Sequence, residues 1–280
     1  MFGGIHHVAV AVRNLEEALA FYHGKLGLAL GKQATVPDQG VKAALLPLGE
    51  DEIELLEPTN PAGGVARFLE KKGEGVHHFC VETSDVAAAI ERAKTLGLQL
   101  IDQAPRQGLA GTIGFLHPSA TQGVLVELAQ PAEEGPHPHA PATGIRAVGM
   151  TTLYLATKDP AASAEALSRN YEAKATGLAS DPRFGARTCV VEIGSSRVTL
   201  IDAAEFAASP VGGRILAGRG EGLCGLCIAV EDLDDALRHL GQNGIPTERL
   251  GDASVGFLAW IPAERAHGVN LFLSAAARRA

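Results

Sequence analysis

Apolar and polar positions alternate at the start of the chain as they do in a half-buried strand. Val8, Val10 and Val12 fall on one face, and His7, Ala9 and Ala11 on the other. The alternation gives way at Asn14 to a helical run, Asn14-Leu15-Glu16-Glu17-Ala18-Leu19, in which Asn14 and Glu17 have capping-box spacing. This helix is expected to end near Leu26-Gly27-Leu28, and a late strand, Ile53-Glu54-Leu55-Leu56, closes the segment. The same order returns with Val76-His77-His78-Phe79-Cys80-Val81, a helix from Asp85, Leu96-Gly97-Leu98 and the late strand Leu125-Val126-Glu127-Leu128. It returns again from Thr152 with a helix at Asp159 and a strand at Val198-Thr199-Leu200-Ile201. A last copy runs from Gly225 with a helix at Asp232 and a strand at Val269-Asn270-Leu271-Phe272. The repeat predicts an α+β fold of four βαβββ units, making two modules of two units each.

Between the second and third units lies Gln130-Pro131-Ala132-Glu133-Glu134-Gly135-Pro136-His137-Pro138-His139-Ala140-Pro141, whose prolines remove backbone donors and disfavour helix. The expected division is therefore a module over 1–130, a proline-rich linker over 131–146 and a second module over 147–280. His137 and His139 are read as inert linker residues rather than as ligands.

Length and charge narrow the function. A chain of 280 residues gives room for about two domains. A net charge of −8 supplies no basic face for nucleic acid or an anionic membrane. No apolar run approaches the roughly 18 residues of a membrane span. Met1-Phe2-Gly3-Gly4-Ile5-His6-His7 lacks the basic-then-apolar order of a signal peptide. The four cysteines Cys80, Cys189, Cys224 and Cys227 are too few for a disulfide framework, so a reduced, cytoplasmic protein is expected.

Four polar residues stand where the strand pattern calls for apolar ones. His78, Cys80 and Glu82 share a face in the second unit, Glu127 shares one with Leu125 and Ala129, and Glu54 shares one with Leu56. The two histidines are 78 − 7 = 71 residues apart and the two glutamates 127 − 54 = 73, so the four occupy matching positions of the first two units. A pseudo-two-fold axis would gather His7, Glu54, His78 and Glu127 at one point. Buried carboxylates need a partner or a cation, and two imidazoles with two carboxylates suit a divalent metal. The second module acts as an internal control. Thr152, Thr199, Gly225 and Phe272 fall at the corresponding positions, so the fold itself does not require the ligand set.

His7-Val8-Ala9-Val10-Ala11-Val12, the stretch from Ala20-Phe21-Tyr22 to Leu26-Gly27, Ile53-Glu54-Leu55-Leu56-Glu57-Pro58, Gly75-Val76-His77-His78-Phe79-Cys80-Val81-Glu82, Phe115-Leu116-His117-Pro118 and Gly123-Val124-Leu125-Val126-Glu127-Leu128 form a set of blocks. Together they resemble methylmalonyl-CoA epimerases, members of the vicinal oxygen chelate (glyoxalase/bleomycin resistance/dioxygenase) superfamily. The resemblance covers roughly residues 4–130; residues 147–275 resemble only the general module of the superfamily. It implies glyoxalase-like modules with curled, open-barrel sheets, the first binding metal and the second degenerate. It implies His7, His78 and Glu127 as metal ligands with Glu54 as the fourth, and a divalent Co, Mn, Zn, Ni or Fe ion as cofactor. The implied reaction is removal of the proton α to an acyl-CoA thioester and its return to the opposite face through a metal-stabilised enolate, with Glu127 as the catalytic base. Two departures stand out: Ala43 takes the place of a glutamate found in some relatives, and Ala110-Gly111 stands where the family has His-Gly.

The alternatives are a glyoxalase-type lyase or isomerase, an extradiol-type ring-cleaving dioxygenase and a non-catalytic binding protein. The extradiol enzymes match the four-unit length but carry their metal in the second module. Apolar sequestration needs no ligand set. The expected partner is a small-molecule substrate of the acyl-CoA class, with one chain acting as a pseudo-dimer and homodimerisation left open.

Other residues read more plainly. Cys224 and Cys227 lie three apart in a strand-like run and so point to opposite faces as small packing residues. Lys42, Arg106 and Arg146 are read as surface cations rather than coenzyme contacts, Asp38 as a turn cap, and Trp260 and Phe257 as core of the second module. His6 and His77, just before the candidate ligands, are read as packing or supporting groups pointing the other way.

Overall fold

The computed structural model describes residues 2–109, 111–132, 144–217, 219–252, 256 and 258–276. Ala110, linker residues 133–143 with His137 and His139, and Phe257 lie outside them. Eight strands build the first sheet: β1 (Phe2–Ala11), β2 (Gln33–Val36), β3 (Val41–Leu48), β4 (Asp51–Pro58), β5 (Gly75–Thr83), β6 (Arg106–Gly108), β7 (Gly111–Leu116) and β8 (Leu125–Pro131). Their spatial order is β2-β3-β4-β1-β5-β8-β7-β6. Read outward from its centre, this order is the same in both directions, first strand, fourth, third, second. That is the βαβββ repeat expressed as hydrogen bonding.

The second sheet repeats the plan with β9 (Ala147–Thr157), β10 (Lys174–Ala175), β11 (Ala179–Asp181), β12 (Ala186–Ile193), β13 (Ser196–Asp202), β14 (Gly222–Val230), β15 (Glu248–Leu250), β16 (Leu258–Ile261) and β17 (Leu271–Ala275). Its order is β10-β12-β13-β9-β14-β17-β16-β15, with β11 pairing β12 off this path. In both sheets the late strand runs parallel to the first strand of its unit, β5 with β8 and β14 with β17.

The helices are α1 (Leu15–Leu19), α2 (Gly64–Lys72), α3 (Val86–Thr95), α4 (Pro160–Tyr171), α5 (Ala203–Ala208), α6 (Pro210–Leu216) and α7 (Leu233–Gln242). Those that follow the first strand of each unit all start on an acceptor side chain. Asn14 receives the backbone N–H of Glu16 and Glu17, Asp85 that of Ala88, Asp159 that of Ala162 and Asp232 that of Asp235. The first is shorter than the pattern suggests, because Ala20–Lys25 continue it with π-helical hydrogen bonding. Helices α2, α5 and α6, which join one unit to the next, were not part of the predicted repeat.

The chain packs as two compact units, and neither is a sequence half. The first takes Met1–Ala9, His77–Gly135 and Leu153–Cys224. Within it the Ile5 N–H donates to Ser196 Oγ at 2.9 Å, the Phe2 and Tyr171 rings meet edge-on at 5.5 Å, and Arg92 reaches the Arg169 carbonyl and Glu172. The second takes Val10–Val76, Pro136–Thr152 and Gly225–Ala280. There the buried Tyr22 hydroxyl donates to the Ala266 carbonyl at 3.0 Å, and the Met150 N–H donates to Asp51 Oδ2 at 2.7 Å. Each unit therefore draws on residues from both sides of the linker.

Candidate metal centre

Three of the residues singled out from the sequence lie in the first compact unit, each on the central part of the sheet. His7 comes from β1, His78 from β5 and Glu127 from β8, and all are buried, at 1%, 3% and 4% exposure. The parallel ladder between β5 and β8 sets Cys80 opposite Glu127 and His78 opposite Leu125. Residues two apart share a face, so His78, Cys80 and Glu127 project to the same side. His78 Nε2 lies 3.3 Å from Glu127 Oε2. The rings of His7 and His78 are 5.7 Å apart at 74°. One ligand atom each from His7, Cys80 and Glu127 falls within a mutual 4.8 Å. Cys80, which the strand alternation places on the face of His78, is thus part of the cluster. Glu54 is buried on β4, at 7% exposure, opposite Leu45 of β3, and belongs to the second compact unit.

Burial dominates the electrostatics of the cluster. It pushes His78 down to about 3 and holds His7 well below the usual histidine range, with His6 and His78 adding to the effect on His7. It pushes Glu127 up to about 8, against the opposing influence of Arg106. The His78–Glu127 contact has the spacing of an ion pair, but each partner is driven towards its neutral form. Neutral imidazoles beside a carboxyl group are the state from which a divalent ion is bound with loss of one proton. The donor chemistry fits such an ion.

The surroundings hold these groups still. The Phe115 ring meets His78 edge-on at 5.3 Å, and the Arg106 guanidinium lies over the Phe115 ring, 5.4 Å from its centroid. Arg106 Nε donates to Asp102 Oδ2, which also accepts the Phe115 N–H. His6 and His77 do not simply turn away. His6 Nδ1 lies 3.0 Å from His7 Nδ1, and His77 Nδ1 lies 2.9 Å from His78 Nδ1.

Residues 6–116 match the model of the Glyoxalase/Bleomycin resistance protein/Dioxygenase superfamily. An ethylmalonyl-CoA/methylmalonyl-CoA epimerase of Cereibacter sphaeroides is 41% identical over 133 residues, 46% of this chain and 99% of that one. The chain belongs to the glyoxalase/bleomycin resistance/dioxygenase superfamily. A mitochondrial methylmalonyl-CoA epimerase of Bos taurus is 39% identical over 130 residues, 46% of this chain and 74% of that one. A 4-hydroxymandelate synthase variant from Streptomyces coelicolor, 17% identical, superposes with a TM-score of 0.73 over 99% of this chain and 94% of that one. At that identity the likeness concerns the two-module fold alone.

The second sheet repeats the strand order of the first without these side chains. Cys227 opposes Phe272 in the register where Cys80 opposes Glu127. A side chain at Gly225 would run into the Phe272 ring, at 2.6 Å, and the Asn270 carbonyl, at 2.7 Å. Gly225 and Phe272 thus stand where His78 and Glu127 stand in the first sheet. Trp260 is core, donating to Asn270 Oδ1. The cations weighed as coenzyme contacts have carboxylate partners: Lys42 with Glu57, Arg106 with Asp102 and Arg146 with Glu231. Val41, Ala43 and Leu45 are buried, leaving no acid at the position of Ala43. Among the described residues no helix is long and apolar enough to cross a membrane.

Proposed function

We propose that the protein is a divalent-metal-dependent epimerase acting on an acyl-CoA thioester of the methylmalonyl-CoA kind. The observation that carries this reading is the convergence of His7, His78 and Glu127, all buried, on a sheet whose counterpart in the same chain carries none of them. His7 and His78 would hold the ion through nitrogen, and Glu127 through oxygen. Glu54 is the fourth ligand in this reading, by its equivalence to Glu127 in the repeat and its burial on β4. A bound ion would supply Lewis-acid stabilisation of the negative charge that develops on the thioester oxygen. Glu127 is the group that takes the proton α to the thioester, since Ala43 provides no second acid. The apolar residues Phe115, Ile113 and Ala129 pack with Cys80 in a buried cluster next to it. The relatives named epimerases support the substrate class.

In the same reading 1–130 is the working module, 131–146 the linker and 147–280 a degenerate module that stands in for a second copy of the shorter relatives. The pooling of both sides of the linker into each compact unit supports this pseudo-dimeric role.

The test is metal analysis of the purified protein together with solvent deuterium exchange. About one divalent ion per chain and deuterium incorporation from heavy water into methylmalonyl-CoA are expected, with His7→Ala and Glu127→Ala losing the ion. Unchanged metal content in both variants would remove the site. Absence of exchange by metal-loaded protein would remove the reaction.

A further inference from the structure

The chain has ten histidines, and only two pairs of them are adjacent in sequence, His6-His7 and His77-His78. Both pairs are on strands that deliver a candidate ligand, and both make the same contact, Nδ1 to Nδ1, at 3.0 and 2.9 Å. Two neutral imidazoles share such a contact only if one nitrogen carries the proton and the other accepts it. The direction follows from what lies at the far side of the second ring. His78 Nε2 faces Glu127 Oε2 at 3.3 Å, where the proposed ion would bind. A nitrogen that binds a cation has no proton, so the proton of His78 must sit on Nδ1 and be donated to His77.

We infer that His6 and His77 are positioning residues, each accepting a hydrogen bond from Nδ1 of the histidine that follows it and thereby fixing the tautomer and ring orientation that present Nε2 to the ion. The inference rests on the metal-centre reading and adds to it the groups that set ligand geometry. The second half of the chain bears on it independently. At the positions corresponding to His6 and His77 stand Thr151 and Cys224, so the supporting imidazoles are absent wherever the ligands are absent. Thr151 Oγ1 donates instead to the Cys227 carbonyl, and Cys224 Sγ to the Tyr154 carbonyl. A packing role alone would not require an acceptor nitrogen at both sites of the first half and at neither site of the second.

The test uses the full chain and Zn2+ or Co2+ as the probe. His6→Phe and His77→Phe keep a ring but remove the acceptor, and His77→Asn restores an acceptor oxygen near the same place. Affinity measured by chelator competition is expected to fall about 10- to 100-fold in the phenylalanine variants and to recover largely in His77→Asn. Nitrogen-15 spectra of the metal-free parent protein are expected to show His7 and His78 as Nδ1–H tautomers. Parental affinity in both phenylalanine variants, or Nε2–H tautomers at His7 and His78, would overturn the inference. If a variant fails to fold, the spectra of the parent protein decide. The underlying reading fails separately, when His7→Ala and Glu127→Ala retain the ion. If those two lose it while the phenylalanine variants bind as the parent does, only the positioning role is lost.

Discussion

Cys80 and Glu127 face each other across the β5–β8 ladder, and Cys227 and Phe272 occupy the same register of β14–β17. One cysteine therefore has a carboxyl group as its neighbour and the other an aromatic ring, in otherwise equivalent frames. The exchange of Glu for Phe, with Gly225 in place of His78, removes an imidazole and a carboxyl group without changing the strand order.

This contrast predicts what Glu127→Gln does. The amide has nearly the shape of the carboxyl group and no charge to bury, and burial already raises Glu127 to about 8. The fold should therefore be retained, with thermal stability near that of the parent when no metal is added. Solvent exchange at the α carbon should fall at least about 100-fold, because the proton acceptor is gone. Circular dichroism melting and deuterium incorporation followed by mass spectrometry check the two halves of this expectation. Exchange at the parental rate in a folded variant would assign the base elsewhere.

Metal should stabilise the chain through the first sheet only. An ion that binds only the folded state adds about 2.7 kcal/mol at a concentration a hundredfold above its Kd. The melting temperature should rise by several degrees on adding Co2+ or Zn2+ and return on adding chelator. Gly225→Ala tests the other sheet. Its new Cβ would press on the Phe272 ring and the Asn270 carbonyl, so it should cost about 1–3 kcal/mol while the metal stoichiometry stays unchanged. A change in stoichiometry would show that the second sheet takes part in binding.

Much of this was legible because the signals are local or periodic. Strand alternation, the side-chain acceptors Asn14, Asp85, Asp159 and Asp232, and the spacing of His7 to His78 and Glu54 to Glu127 need no tertiary information. The helices α2, α5 and α6 lie outside the repeat, so the repeat could not predict them; α5 and α6 also begin close together, at Ala203 and Pro210, where short elements leave weak periodicity. The place of Cys80 in the cluster depends on which residue of β8 it meets, a register that two-residue alternation leaves open. The contacts of His6 and His77 were hidden for a related reason. Alternation assigns neighbours to opposite faces, whereas the ring nitrogens at these positions meet across the strand. The pooling of both halves into each compact unit comes from contacts such as Ile5 with Ser196, 191 residues apart, which no local pattern announces.

The turn between β12 and β13 makes a backbone prediction. Gly194 has φ 54°, in the left-handed region, and a Cβ built on it would overlap the Gly3 carbonyl oxygen. That carbonyl accepts the Ser195 N–H at 3.1 Å, so the turn is held against the start of β1, a few residues before His7. Gly194→Ala combines unfavourable φ with overlap and should destabilise by about 1–3 kcal/mol. Denaturant melts check the size, and a parallel loss of metal affinity would show that the position of β1 controls His7. An alanine variant as stable as the parent would show that the strand and turn separate without cost.

Asp51 gives the pH dependence of stability its clearest single contribution. Its carboxyl accepts the Met150 N–H at 2.7 Å, yet burial, helped by Glu50, raises it from 3.8 to about 6. A folded value above the unfolded one means that the folded state holds the proton more tightly. The stability Asp51 contributes is therefore complete below the unfolded value and is lost as pH rises through about 6. Asp51→Asn keeps an oxygen for the Met150 N–H and has no charge to bury. It should match or fall slightly below the parent in acid, and exceed it by about 2 kcal/mol above neutrality. Urea melts of both proteins across this range measure the difference. A gap that does not change with pH would mean that Asp51 stays ionised throughout, and that the Met150 contact outweighs the cost of burying its charge.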